Sequence, residues 1–313
     1  MRKRRKLLVL GSAILVVLIV VGWYLHRTNI PLLEPRGPLA EKERNLMLFA
    51  AFLSLFVVVP VFSMAIFIAW KYREGNTKAR YSPEFDHSKL LESIWWLIPT
   101  VLIGILSVVA WNSSHTLDPY RPLSSTVRPL NVEVVALDWK WLFIYPDQGV
   151  ASVSQLELPV NTPVSFTITS DAPMNSFWIP QLGGQVYAMP GMSTQLHLAA
   201  SKVGSYDGYS ANISGVGFAD MGFKANAVSS TQFRDWIHTA SITPKYLTMA
   251  TYSQLAKPSE NNLVSYYSLL DPYLYTEIIN KYMAPAGLSP GQRSEPISNT
   301  SGQTYPMSAG TAM

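Results

Sequence analysis

The stretch 46–70 of this chain carries no charged side chain, and 91–111 carries one, Glu92, at its start. At a rise of about 1.5 Å per residue, each is long enough to cross the roughly 30 Å hydrocarbon core of a bilayer as a helix. A soluble helix of that length keeps a polar stripe for solvent, and neither stretch has one. Two membrane spans are therefore the first expectation, and they limit what the rest of the chain can do.

The flanks orient the spans. Lys71, Arg73, Lys78, Arg80 and Lys89 lie between them, and short basic loops stay on the cytoplasmic side. Trp70, Tyr72, Trp95, Trp96 and Trp111 stand near the span ends, where amphipathic rings favour the interface. A third apolar run, 7–25, follows Met1-Arg-Lys-Arg-Arg-Lys6, the pattern of a signal peptide or signal anchor over 1–28. It has nearly the length of a full span, and no clear Ala-x-Ala cleavage site follows, which favours a retained anchor. The topology closes consistently. The N-terminus and 71–90 are inside, and 26–45 and everything after about residue 112 are outside.

Charge follows the same division. Lys and Arg outnumber Asp and Glu by 14 to 7 up to residue 115, whereas acidic residues lead by 13 to 10 beyond it, for a net charge of +4. Charged residues make up 14% of the chain, against about 25% in soluble domains. No basic, aromatic-interleaved patch points to nucleic acid. Cysteine is absent, which excludes disulfides, thiolate metal sites and thiol nucleophiles. The five histidines, His26, His87, His115, His197 and His238, share no metal-ligand spacing.

Past residue 125 the period changes. Asn131-Val-Glu-Val-Val-Ala-Leu137 alternates partly, and Pro163-Val-Ser-Phe-Thr-Ile-Thr169 and Ser193-Thr-Gln-Leu-His-Leu198 alternate cleanly. Turn signals at Asp147-Gln-Gly, Pro159-Val-Asn, Gly183-Gly and Asp207-Gly separate these runs. Short strands so punctuated predict a β-sandwich or barrel over 125–227. Phe233, Trp236 and Ile237, and then Tyr275, Ile278 and Ile279, have helical spacing, which predicts a helical extension over 228–284. The tail 285–313 is rich in Pro, Gly, Ser and Thr and reads as disordered.

Two spans, counted as a hairpin over 40–115, followed by an exported sandwich fit few families, and particular residues narrow them. Asp138-Trp-Lys-Trp-Leu-Phe-Ile-Tyr145 and Glu92-Ser-Ile-Trp-Trp-Leu-Ile-Pro99 resemble segments of subunit II of haem–copper terminal oxidases. That resemblance implies a membrane α plus β protein with a cupredoxin-like outer domain. In the family this domain holds a binuclear copper centre in a loop of pattern Cys-x-Glu-x-Cys-x₃-His-x₂-Met, with a second His upstream. Here the loop reads Ser210-Ala-Asn-Ile-Ser-Gly-Val-Gly-Phe-Ala-Asp-Met221. Ser210 and Ser214 stand for the thiolates, Asn212 for the Glu and Phe218 for the His, while Met221 is retained. Asn175, in Met174-Asn-Ser-Phe-Trp-Ile-Pro180, stands for the upstream His. Copper of this kind needs soft thiolates and imidazoles, so no metal is expected in this chain.

Loss of the copper loop resembles the bo-type ubiquinol oxidase branch. So do Leu32-Leu-Glu-Pro-Arg-Gly37, Trp70-Lys-Tyr-Arg73, Tyr187-Ala-Met-x-Gly-Met192, Tyr206-Asp-Gly208 and Lys257-Pro-Ser-Glu260. The resemblance implies a proton-pumping quinol oxidase of a bacterial inner membrane, with this chain multi-pass and its C-terminal domain periplasmic. The haems and copper would lie in subunit I, other small subunits would join, and ubiquinol would be the donor. It also implies that Glu92 is the entry of a proton path into subunit I, although a carboxylate in the first turn of a helix is also favoured by the helix dipole. Relatives often carry an acylated Cys after the signal, and Gly22-Trp-Tyr-Leu-His-Arg-Thr28 has none. Trp139 and Trp141 read as packing aromatics, and Met174, Met189, Met192 and Met221 as scattered core methionines. The competing reading is a membrane-anchored periplasmic binding or assembly protein on a degenerate cupredoxin.

Overall fold

The computed structural model describes residues 30–77 and 86–283, with the isolated residues 19, 20, 22, 23, 79 and 84. Most of the first apolar run and the tail 285–313 lie outside the described residues.

Helix α1 spans Pro38–Lys71 and helix α2 spans Lys89–Thr116. Gly37 precedes α1 in extended conformation, and Pro38, which has no N–H to satisfy, opens it. No residue in the most apolar stretch of either helix is buried within the chain. Their large apolar side chains face outward on all sides, which is the composition of a helix in lipid or against other membrane helices. Both carry an internal proline, Pro60 and Pro99.

The 34 residues of α1 give a rod of about 51 Å, longer than the hydrocarbon is thick. Its first turns stand clear of the apolar run and dock on the outer domain. Leu39 and Ala40 are buried, Ala40 N–H donates to Leu182 O at 3.2 Å, and Gly184 N–H donates to Glu43 Oε1 at 3.0 Å. Gly37 is required here, because a Cβ would lie 2.4 Å from Ala199 O.

The outer domain is a two-sheet sandwich. Its strands are β1 (Leu130–Leu137), β2 (Lys140–Tyr145), β3 (Val150–Val153), β4 (Gln155–Pro159), β5 (Val164–Ser170), β6 (Asn175–Trp178), β7 (Val186–Ala188), β8 (Thr194–Leu198), β9 (Gly204–Ser210) and β10 (Phe223–Val228). Two more, β11 (Tyr246–Leu247) and β12 (Ser265–Leu269), follow in the C-terminal extension. One sheet runs β11-β12-β3-β2-β1-β5-β8 and the other β4-β10-β9-β6-β7. The pairs β1–β5 and β4–β10 are parallel, so each needs a crossover rather than a hairpin.

Aromatic side chains fill the space between the sheets. Phe177 stacks on Phe223 at 5.3 Å between centroids, and Trp141 meets Phe177 edge-on at 5.4 Å. Such pairs add about 0.5–1.5 kcal/mol each beyond simple burial. A second core lies on the opposite face of the larger sheet. There Val135, Leu137, Leu142 and Ile144 pack against Leu247, Tyr252, Leu274, Tyr275 and Ile278. Strand β2 is consequently buried on both faces along its whole length, which is why its sequence is a continuous apolar run and why β1 alternates only in part.

The C-terminal extension is helical, with α3 (Ser230–Ser241), α4 (Met249–Leu255) and α5 (Leu274–Met283). Ser229 and Gln232 close a reciprocal capping box on α3. The extension also contributes β11 and β12, which the sequence pattern does not announce. All five residues of β12 are half-buried, so no clean in–out alternation marks it. The Asp207-Gly turn signal corresponds to no turn. Both residues lie inside β9, and Gly208 is there because the Phe223 ring would lie 2.1 Å from a Cβ.

Candidate functional site

The residues that the resemblance sets in place of copper ligands fall at the start of β6, at the end of β9 and in the loop that follows it. Asn175 opens β6 and Ser210 closes β9, and their strands pair through Phe177 and Ser210. Ser210 Oγ donates to Asn175 Oδ1 at 2.9 Å and lies 3.2 Å from Asn212 O. Asn175 Nδ2 donates to Pro173 O, and Asn212 Nδ2 to Met174 O, each at 2.7 Å. Asn175 is completely buried and Ser210 nearly so. One bond between side chains and three contacts to backbone carbonyls thus hold these polar groups and tie the loop to the β5–β6 connection.

Ser214 and Phe218 take no part in that network. Ser214 Oγ is buried without a hydrogen-bond partner among the described residues, while Ser214 O accepts from Trp139 Nε1 at 3.3 Å. Phe218 is half-buried in the 3-10 turn Val216–Asp220. Met221 is buried, and its carbonyl accepts from Trp141 Nε1 at 3.1 Å. The structure therefore brings Asn175, Ser210 and Asn212 together directly and holds Ser214 and Met221 through the two tryptophans.

Trp139 shapes this end of the domain. It occupies the two-residue turn between β1 and β2 with φ of 62°, a left-handed conformation that costs a non-glycine residue about 1–2 kcal/mol. The indole lies flat against the loop. A Cβ at Gly217 would sit 2.5 Å from Trp139 Cδ2, so only glycine permits the contact. From the other side, Asn262 Nδ2 donates to Trp139 O at 3.4 Å. The adjacent Lys140 Nζ donates to Lys257 O at 2.7 Å and Ser259 Oγ at 2.5 Å, and burial pushes this ammonium below its ordinary pKa. The Trp139 turn is clamped between the loop 210–221 and segment 257–262.

The donor set does not fit a binuclear copper. Neutral serine hydroxyls and carboxamides are hard, weak ligands, and one thioether cannot hold the metal. Among the described residues no group of three or more His, Asp or Glu is placed to bind a metal ion.

At the opposite end of the chain's membrane part, Glu92 lies in the first turn of α2. Its Oε1 is 3.6 Å from His87 Nδ1, and both side chains are about half exposed. It lies far along the spans from the sandwich and shares no contact with the loop.

Comparison with known proteins decides the family. Residues 148–228 match "Cytochrome C oxidase subunit II, periplasmic domain", and residues 243–286 match "COX Aromatic Rich Motif". The cytochrome bo(3) ubiquinol oxidase subunit 2 of Pseudomonas aeruginosa is 50% identical over 81% of this chain and 77% of its own length. The chain belongs to the ubiquinol oxidase subunit 2 family. The ubiquinol oxidase subunit 2 of Acetobacter aceti is 47% identical over 81% of this chain and 83% of its own. The quinol oxidase subunit 2 of Bacillus subtilis is 35% identical over 95% and 94%. The sandwich of this chain is cupredoxin-like, and the aromatic-rich part is the extension that carries β11, β12, α4 and α5.

One cluster in that part escaped sequence reasoning. Asp171, just after β5, accepts from Tyr252 at 2.7 Å, from Lys281 at 2.6 Å and from Tyr282 at 2.5 Å. Its side chain is 1% exposed. Burial and the Asp171 carboxylate together push the Tyr252 and Tyr282 phenols up, so both stay protonated and donate. The partners are 81, 110 and 111 residues away, and no local pattern signals them.

Proposed function

We propose that this chain is the copper-free, non-catalytic subunit 2 of a bacterial terminal oxidase that takes electrons from ubiquinol, reduces oxygen and pumps protons. In this reading the haems and copper reside in subunit I. The lipid-length helices α1 and α2 seat against subunit I and the smaller subunits in the inner membrane. The run 1–28 is the signal or anchor, the hairpin occupies 40–115, the sandwich 125–227 caps the periplasmic side with its extension 228–284, and 285–313 is a tail. Glu92, beside His87 at the basic cytoplasmic loop, is the entry of a proton path into subunit I. Ionisable groups at the start of a span commonly have that use.

The observation that carries the proposal is the Ser210–Asn175 hydrogen bond inside a loop of copper-loop length. A retained frame in which Asn175, Ser210 and Asn212 are held by hydrogen bonds instead of binding metal suits an oxidase fed from the membrane rather than by a soluble copper-reducing protein. Purified complex should oxidise ubiquinol and fail to oxidise reduced cytochrome c, and metal analysis should find no copper attributable to this chain. Rapid cytochrome c oxidation with two coppers on this subunit would refute it. Glu92→Ala should slow quinol turnover by at least about tenfold, a barrier rise of roughly 1.4 kcal/mol. Unchanged turnover and pumping would remove Glu92 from the path.

A further inference from the structure

Where α1 and α2 leave the apolar zone on the sandwich side, they enclose a pocket of about 140 Å³ lined in part by Lys42, Thr116, Asp118, Arg121, Ser124 and His197. We infer that this pocket binds the phosphodiester headgroup of a phospholipid from the leaflet on that side. Height is the first argument. Lys42 is four residues above the apolar run that begins at 46, and Thr116 is five past Trp111. At about 1.5 Å per residue both stand roughly 6–8 Å beyond the hydrocarbon, which is the depth of the headgroup layer.

Chemistry is the second argument. Among the described residues Lys42 forms no ion pair, and the Arg121 side chain donates to His115 O alone, at 3.2 Å, leaving the rest of its guanidinium free, while the Arg121 backbone N–H donates to Asp118 O at 3.0 Å. Asp118 is the one carboxylate in the lining, and it accepts from Tyr120 N–H at 2.9 Å. Two cations against one carboxylate leave a net positive pocket, and an Arg fork matches phosphate oxygens in pairs.

The third argument is a missing partner. His197 Nε2 is buried and has no hydrogen-bond partner among the described residues, and a buried polar atom that nothing meets is destabilising. Burial pushes the imidazole below its ordinary pKa, so the ring is neutral at pH 7 and one tautomer offers Nε2–H to an acceptor oxygen. Leu39 and Leu123 line the same pocket, and the outward apolar faces of α1 and α2 continue below it as a bed for acyl chains. A free phosphate would use the cations but not that bed, and this favours the lipid.

The inference rests on the membrane placement of α1 and α2 and not on the oxidase reaction, so its test does not read turnover. The intact complex is stripped of lipid in detergent and titrated with dioctanoyl-phosphatidylglycerol, and in parallel with inorganic phosphate, with bound adducts counted by native mass spectrometry. The expected result is saturable lipid binding that weakens at least about tenfold in Lys42→Ala/Arg121→Ala. His197→Phe, which fills the pocket and removes Nε2, should weaken it comparably and serves if the double variant fails to assemble. Lys202→Ala/Lys245→Ala, on exposed cations outside the pocket, should match the parent. Lipid binding unaltered in both pocket variants overturns the inference. So does inorganic phosphate binding as tightly as the lipid, which would make this a free-anion site.

Discussion

Tyr145→Phe removes one oxygen atom and should cost far more than a surface change. Strand β4 is the edge of the smaller sheet, so its outward backbone groups lack a neighbouring strand. The Tyr145 hydroxyl supplies the missing partner twice. It donates to Glu157 O at 3.0 Å and accepts from Glu157 N–H at 2.9 Å. Tyr145 is 0% exposed and Glu157 5%, so water does not readily replace the hydroxyl. Burial also pushes the phenol far above its ordinary pKa, which keeps the donor proton in place. Losing two bonds and orphaning two buried backbone groups should cost about 2–4 kcal/mol. At about 2–4 °C per kcal/mol for a chain of this size, the apparent unfolding midpoint should fall by roughly 4–16 °C. Thermal unfolding of the full chain in detergent, followed by tryptophan fluorescence, measures it. Tyr266→Phe is the control, because Tyr266 packs edge-on to Trp236 and its hydroxyl has no hydrogen bond among the described residues. A loss no larger than the control's would refute the reasoning that this hydroxyl closes the β4 edge.

Two further perturbations test other parts of the domain. Burial first, and then the Asp147 charge, raise the Glu133 carboxyl to about 7. A folded pKa above the unfolded one stabilises the protein at low pH, and this contribution is lost as pH rises from about 4.5 through 7. Glu133→Gln should therefore unfold at a higher temperature than the parent at pH 8, with the difference vanishing towards pH 4.5; the opposite trend in a pH series of melting curves would reject it. Asp171→Ala should release the C-terminal extension, since it orphans Tyr252, Tyr282 and Lys281 together. Limited proteolysis should then cut within 246–283 at least about tenfold faster, as expected for a local opening made easier by roughly 1.4 kcal/mol or more, and an unchanged cleavage rate would show that the apolar contacts alone hold the extension.

The spans were legible because lipid removes ambiguity: a helix apolar on every side has few other uses. Strands β5 and β8 were legible because one face of each meets the core. The segment of strand β2 was singled out only through its resemblance to a known family, since a strand buried on both faces loses its period, and the Trp139 turn was not legible. Strand β12 and the Asp171 cluster were not legible. Their partners lie far away in sequence, and half-buried or isolated polar residues carry no periodic mark. At the candidate site the sequence supplied the positions of Asn175, Ser210 and Asn212. The direct bond between the first two depends on where β6 begins and β9 ends, and nothing in the local sequence marks Ser214 Oγ as left without a partner among the described residues.

Helix α1 has a mechanical consequence. It passes from the apolar zone into the outer domain as one continuous helix, with Leu39 and Ala40 embedded and Glu43 holding Gly184. A domain mounted on a flexible tether can swing and sample distances. This one is carried on a stiff mast, so its height and heading above the bilayer are set by the tilt of a single helix. Whatever surface the sandwich presents is held at a fixed address, and a neighbouring subunit that grips α1 in the membrane thereby aims the domain above it.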